Sequence, residues 1–146
     1  TGIRDGIDIS LCMIDTKTNK LQFAGANNPV YIVRKKELIE LKGDRYHAGT
    51  LLDHSQSGFS LKKFDLKKGD DIYLFSDGYS DQFGGPEIKK YKYHRFKKTI
   101  VEMHDKSIPE QRETLEKALR AWRNPSGKNN DWTEQTDDIC VVGLRI

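Results

Sequence analysis

Two stretches of the 146-residue sequence set carboxylates against apolar strands. In Ile72-Tyr73-Leu74-Phe75-Ser76-Asp77-Gly78-Tyr79-Ser80-Asp81, a β-branched and aromatic run ends in an Asp-Gly turn able to take unusual backbone angles. Further on the order is reversed: Gln135-Thr136-Asp137-Asp138 leads into Ile139-Cys140-Val141-Val142-Gly143-Leu144, acid first and strand second. If the two strands lie antiparallel and adjacent, the end of the first meets the start of the second, and Asp77 meets Asp137 at one edge. Clustered carboxylates repel unless something positive lies between them, and all-oxygen donors suit a hard divalent cation such as Mg²⁺ or Mn²⁺. The alternative is that each acidic turn simply solvates a strand end.

The elements that must hold these turns are legible in the rest of the chain. Ile7 to Ile14 alternates apolar with small or polar residues, Asp15 to Lys20 turns, and Leu21-Gln22-Phe23-Ala24 resumes, which predicts a hairpin. Gly25-Ala26-Asn27-Asn28-Pro29 is a dense turn signal, and Val30 to Val33 with Leu38 to Leu41 predicts a second hairpin. Lys42 to Gly58 reads as a long loop with at most a short strand near Leu51-Leu52, after which Phe59 to Leu66 recovers an alternation. Beyond Pro86 the apolar period lengthens to about 3.6, with Phe96, Ile100 and Met103 on one helix face. Ser107-Ile108-Pro109-Glu110 is a capping box with Pro in the first turn, opening a helix whose apolar stripe is Leu115, Leu119 and Trp122.

Composition excludes several classes. With 36% hydrophobic and 32% charged residues the chain is that of an ordinary globular domain, and a net charge of +3 with mixed signs implies no nucleic-acid partner. The local basic cluster of Lys89, Lys90, Lys92, Arg95, Lys97 and Lys98 reads as a solvated helix face. Cys12 and Cys140 fall in strand-like runs and are expected to be buried free thiols, consistent with a reducing cytoplasm. No run reaches the length of a membrane span and no signal peptide is present, so no membrane contact is expected from this segment. Opening on Thr1, the chain reads as one domain, 1–146, cut from something longer.

The combination Asp5-Gly6-Ile7-Asp8-Ile9-Ser10-Leu11-Cys12, Phe23-Ala24-Gly25-Ala26-Asn27-Asn28-Pro29, Phe75-Ser76-Asp77-Gly78 and Thr136-Asp137-Asp138 resembles the bacterial metal-dependent serine/threonine phosphatases of the stage II sporulation protein E type, within the PPM superfamily. That resemblance implies an α+β fold, an αββα sandwich of mainly antiparallel sheets, here without its N-terminal strands. It implies a two-metal Mn²⁺ or Mg²⁺ site in which Asp77 and Asp137 are ligands and Asp138 is a further candidate, as a third carboxylate ligand, as a support for Asp137, or merely as the start of the strand. It also implies a phosphorylated regulatory protein of the anti-anti-sigma type as substrate, and an upstream sensor or regulatory domain in the same chain.

The sequence departs from the family where the strands carrying a further acidic pair, with a bridging Asp-Gly, would precede Asp5. Asp5-Gly6 matches a different family stretch and reads as a turn, and Asp8 as a half-exposed strand residue. The family's Pro-Ile-Gly-like turn is replaced by Tyr46-His47-Ala48-Gly49, and a lone loop histidine such as His47 is more often solvated or structural than catalytic. A sandwich short of its opening strands exposes a sheet edge, so self-association is expected. The functional alternative is an interaction module of the same fold that binds a partner without metal chemistry.

Overall fold

The computed structural model describes residues 6–49 and 58–146; Asp5 and the strand expected near Leu51-Leu52 lie outside the described residues. Both hairpins form. β1 (Ile9–Asp15) pairs antiparallel with β2 (Lys20–Ala26), and β3 (Val30–Arg34) with β4 (Glu37–Leu41). The second hairpin turns through Lys35 and Lys36, both left-handed at φ 49° and 64°, the pair of angles that a two-residue turn needs to match strand twist. β5 (Lys62–Asp65) then joins β2, making a sheet of order β1-β2-β5.

The stretch that carries the first acidic turn becomes β6 (Asp71–Phe75). It is followed by the short α1 (Gly78–Asp81), a small hairpin of β7 (Phe83–Gly84) and β8 (Lys89–Lys90), and the helices α2 (Tyr93–Glu102) and α3 (Ile108–Arg123). The chain closes with β9 (Val141–Arg145), and the second sheet has the order β4-β3-β6-β9. The Ser107–Glu110 capping box is present in both directions at the start of α3. The expected basic helix face is split between the β7–β8 hairpin and α2, where Lys90 pairs with Asp81 at 3.0 Å, Lys97 with Glu40 at 3.0 Å, and Arg95 stacks on Trp122 at 4.7 Å.

Burial explains why some strands alternate in sequence and others do not. β3 is sandwiched, so Val30, Tyr31, Ile32 and Val33 are all buried and the run is continuously apolar. Leu21 and Phe23 of β2 pack with Val30, Ile32 and Ile72 between the two sheets. On the other face of the second sheet, Tyr31, Tyr73 and Phe75 meet Phe96, Ile100, Met103 and Leu115 of the helical layer. The fold is thus α+β, a sandwich of antiparallel sheets with helices over one of them. The outer face of the first sheet carries Ile9, Leu11 and Met13, which are 42%, 65% and 60% exposed.

One expectation fails here. Cys12 is half-buried, and burial pushes its thiol up to about 11, but Cys140 is exposed. β9 begins only at Val141, so Cys140 belongs to the irregular approach to the strand rather than to its buried face. Among the described residues no helix is long and apolar enough to cross a membrane.

Two adjacent carboxylates stand where β6 begins, Asp70 just before it at 1% and Asp71, its first residue, at 0% exposure. Asp70 accepts from Arg34 Nε at 2.8 Å and Nη2 at 2.6 Å, while Asp71 accepts from Arg145 Nε at 2.6 Å and Nη2 at 2.8 Å. Gln111 Nε2 also donates to Asp71 at 2.8 Å, and His104 Nδ1 lies 2.8 Å from it. Burial alone would raise the Asp71 carboxyl, but the bonds from Arg145, Gln111 and His104 overcome it and hold the group below the usual carboxylate range.

A carboxyl depressed in the folded state contributes stability above its unfolded value of about 4 and loses it as pH falls through the folded value. Asp71→Ala, which strands Arg145 beside the core, is expected to cost about 3 kcal/mol in urea unfolding at neutral pH. The acid-induced loss of stability should become shallower in the same variant. An unchanged unfolding midpoint would show that the pair contributes nothing.

Candidate functional site

Strand register gathers the candidate residues at one end of the sandwich. Phe75, the last residue of β6, pairs with Val141, the first of β9, so the segments carrying Asp77 and Asp137-Asp138 leave the sheet side by side. Ile9 at the start of β1 pairs with Ala26 at the end of β2, and β3 begins four residues later, antiparallel to β6 with Tyr31 opposite Tyr73. The stretch before β1 and the Asn27–Pro29 turn therefore lie at that same end.

Asp77 occupies the N-cap position of α1, yet its carboxylate makes no capping hydrogen bond. The backbone carries the turn instead: the Asp77 carbonyl accepts from Asp81 N and from Ser80 Oγ, both at 2.9 Å. The residues on either side of Asp77 stitch it to the second acidic segment. Ser76 Oγ donates to the Asp138 carbonyl at 2.9 Å and accepts from Cys140 N at 3.0 Å. Ser76 N also donates to the Cys140 carbonyl at 2.9 Å. Gly78 packs so closely on the Asp138 carbonyl that a Cβ there would stand 2.3 Å from its oxygen. The glycine of the Asp-Gly pair is needed for this approach and not for a left-handed angle, since its φ is not positive.

Asp137 is exposed, and its Oδ1 accepts from Asp138 N at 2.7 Å, closing a local turn. Asp138 is exposed too, and the contacts that hold it run through its backbone. The strand expected to follow directly begins three residues after Asp138, so the second turn is longer than the sequence implied.

Asp8 lies just before β1, exposed, where its Oδ1 accepts from Asn27 Nδ2 at 2.7 Å and lies 2.5 Å from His47 Nδ1. Backbone bonds between Ile7 and Ala48 at 2.8 and 2.9 Å hold the two sides of this pair together. A contact this exposed contributes little to stability, and its interest is its position. Tyr93, the first residue of α2, feels the charges of both Asp8 and the acidic turn. Burial pushes the Tyr93 phenol up, a hydrogen bond with Ser80 lowers it, and the charges of Asp77, Asp81 and Asp8 raise it further. Ser76 and Tyr93 were not singled out in the sequence. The signal for Ser76 was its place between strand and Asp-Gly, whereas nothing local marks Tyr93.

The donors suit a hard cation in kind: carboxylate oxygens gathered at a strand end, with that of Asp77 not used for capping. They are too few to close a shell, and among the described residues no group of three or more His, Cys, Asp or Glu is arranged to hold a metal ion. The close packing of Gly78 has a direct consequence. Gly78→Ala must displace the Asp138 backbone, and is expected to cost about 2 kcal/mol by thermal or urea unfolding. Gly143→Ala, whose Cβ would meet only the Tyr73 ring at 3.3 Å, should cost less. Equal costs in the two variants would contradict the contact.

Residues 5–146 match the family model of stage II sporulation protein E (SpoIIE). Among solved structures, the SiaA-PP2C domain of Pseudomonas aeruginosa is 28% identical with a TM-score of 0.80, covering 95% of this chain and 51% of that one. The phosphatase domain of the cell fate determinant SpoIIE from Bacillus subtilis is 19% identical with a TM-score of 0.66, covering 95% of this chain and 56% of that one. The RsbU and RsbW domains of a Mycobacterium tuberculosis protein are 19% identical with a TM-score of 0.68, covering 94% and 35%. At 19% identity the last two speak for the fold alone, and the chain spans about half the length of the first two. No curated protein sequence matches it. With the family pattern matched from Asp5 to the last residue and the sandwich shared with PP2C phosphatase domains, the chain belongs to the stage II sporulation protein E family.

Proposed function

We propose that the chain is the C-terminal portion of a metal-dependent phosphoprotein phosphatase domain in a cytoplasmic bacterial signalling protein, acting on phosphoserine or phosphothreonine of a regulatory partner of the anti-anti-sigma type. The observation that carries this reading is the stitching of Asp77 to the Asp137-Asp138 segment through Ser76 and Gly78, with the Asp77 carboxylate free of any capping bond. Asp77 and Asp137 would hold the cation, and Asp138, whose backbone is what Ser76 grips, would support Asp137. Bound Mn²⁺ or Mg²⁺ supplies Lewis acidity toward phosphoryl oxygens and an acidified water, chemistry that needs no protein nucleophile. The protein's part is to keep two carboxylates at fixed separation at a strand end. The coverage of about half of each solved phosphatase domain supports a shared site completed by residues beyond this chain. The similarity to a protein that joins RsbU and RsbW domains supports a regulatory setting with further domains.

The incomplete donor set favours a second reading, a partner-binding module without chemistry. The exposed stripe of Ile9, Leu11 and Met13 supports association through the first sheet under either reading, with a second copy among the partners.

In the full-length protein, Asp77→Asn and Asp137→Asn are each expected to lower Mn²⁺-dependent hydrolysis of a phosphopeptide by about 100-fold or more while the unfolding midpoint stays near that of the parent. EDTA should abolish the parent activity. Wild-type rates in either variant would remove that residue from the site, and absence of any activity in the parent with Mn²⁺ or Mg²⁺ would favour the binding module.

The 146-residue chain alone is expected to hydrolyse p-nitrophenyl phosphate no faster than buffer. With so few carboxylates it should bind Mn²⁺ only in about the millimolar range by calorimetry. Micromolar binding, or equal binding by the chain and its Asp77→Asn variant, would contradict this.

A further inference from the structure

Gln82 follows α1 immediately and is 0% exposed, a fully buried polar side chain in the turn that carries Asp77. Its backbone carbonyl accepts from Tyr91 N at 2.9 Å and from Trp122 Nε1 at 3.1 Å, which fixes the residue against the β7–β8 hairpin and the end of α3. Its side-chain nitrogen donates to the carbonyl of Phe83 at 2.9 Å and to that of Glu134 at 2.7 Å. Its Oε1, however, is the one buried side-chain nitrogen or oxygen without a hydrogen-bond partner among the described residues. An apolar side chain of the same size would avoid burying that oxygen unpaired, so the amide is not explained by packing. What the amide does that an apolar chain cannot is grip Glu134.

Glu134 belongs to a stretch, residues 124–140, that forms neither helix nor strand and yet must deliver Asp137 to one place. Such a segment is positioned only by its anchors. Thr133 exchanges two hydrogen bonds with Arg123, from its N at 2.8 Å and to its carbonyl at 2.9 Å. Glu134 is held by Gln82, and Asp138 and Cys140 are held by Ser76. Asp137 thus lies between two points, each fastened to the turn that bears Asp77.

We propose that Gln82 is a positioning residue, fixing the Asp137 carboxylate relative to Asp77 by its grip on the Glu134 carbonyl. The proposal rests on reading Asp77 and Asp137 as cation ligands. Gln82 touches no substrate; it sets the spacing of the donors, as outer partners of a metal site do.

The test pairs a metal-free readout with a metal-dependent one. Gln82→Met keeps the volume and removes the donors. In hydrogen exchange on the 146-residue chain without metal, protection of the amides in residues 133–140 is expected to fall about 10-fold, while β1–β2 and β3–β4 keep theirs. In the full-length protein, half-saturation by Mn²⁺ should rise about 10-fold with kcat at saturating Mn²⁺ within about twofold of the parent. Should Gln82→Met lose the fold, Gln82→Asn retains the amide but falls a methylene short of Glu134, and carries the same expectations. Unchanged exchange at 133–140, exchange raised equally along the whole chain, or an unshifted Mn²⁺ requirement would each overturn the proposal. Asp137→Asn measured alongside separates the two readings: if it leaves the Mn²⁺ requirement unchanged, the ligand assignment falls, and the exchange data alone decide whether Gln82 holds this segment.

Discussion

Two neighbouring buried carboxylates set the terms for everything around β6. A chain cannot bury Asp70 and Asp71 side by side unless each finds its own cation, and here each does so on a different side, Arg34 from β3 and Arg145 from β9. Those are the two strands that flank β6 in the sheet. The charge requirement and the hydrogen-bonded ladder therefore select the same neighbours, and the register that satisfies one satisfies the other. His104 and Gln111 draw the helical layer into the same node, so helices and sheet are aligned by a polar cluster at one end of β6. The strand's other end, where Asp77 emerges, inherits that alignment.

At that other end the carboxylates are held by different means. No arginine reaches Asp77, Asp137 or Asp138 in an ion pair among the described residues, and their placement comes from backbone stitching through Ser76 and Gly78. The contrast is chemical. Where a carboxylate serves the fold it is neutralised by a guanidinium. Around the acidic groups at the other end the main chain is fixed and no ion pair compensates their charge among the described residues, an arrangement that would favour a bound positive ion on the proposed reading.

Much of this was legible in the sequence because it is written locally. The two hairpins, the capping box at Ser107 and the helix stripe through Phe96, Ile100 and Met103 all follow from short-range period and turn chemistry. The meeting of the two acidic turns followed from one further step, the reversed order of acid and strand, and the β6–β9 pairing bears out that geometry. What was not legible depends on chain segments far apart. The function of Gly78 is set by the carbonyl of Asp138, and that of Gln82 by the carbonyl of Glu134, 52 residues away. The apolar run around Cys140 reads as strand and therefore as buried, whereas the Cys140 amide donates to Ser76 Oγ and the strand begins one residue later. The ligand roles of Asp77, Asp137 and Asp138 came from family resemblance, and among the described residues no group of three or more metal-ligating side chains accompanies them.

The pairing of β6 with the distant β9 bears on how the protein is made. Asp71 and its partner Arg145 are separated by 74 residues. During synthesis on the ribosome, β6 emerges well before its second neighbour exists, with Asp71 buried against nothing and one edge of the sheet unpaired. Until β9 leaves the exit tunnel the second sheet can be only β4-β3-β6, and the Asp137 turn has no strand to anchor it. Closing this sheet is therefore a late step relative to the two hairpins, and a nascent chain that has not yet delivered β9 would present an open sheet edge to chaperones and to other nascent chains.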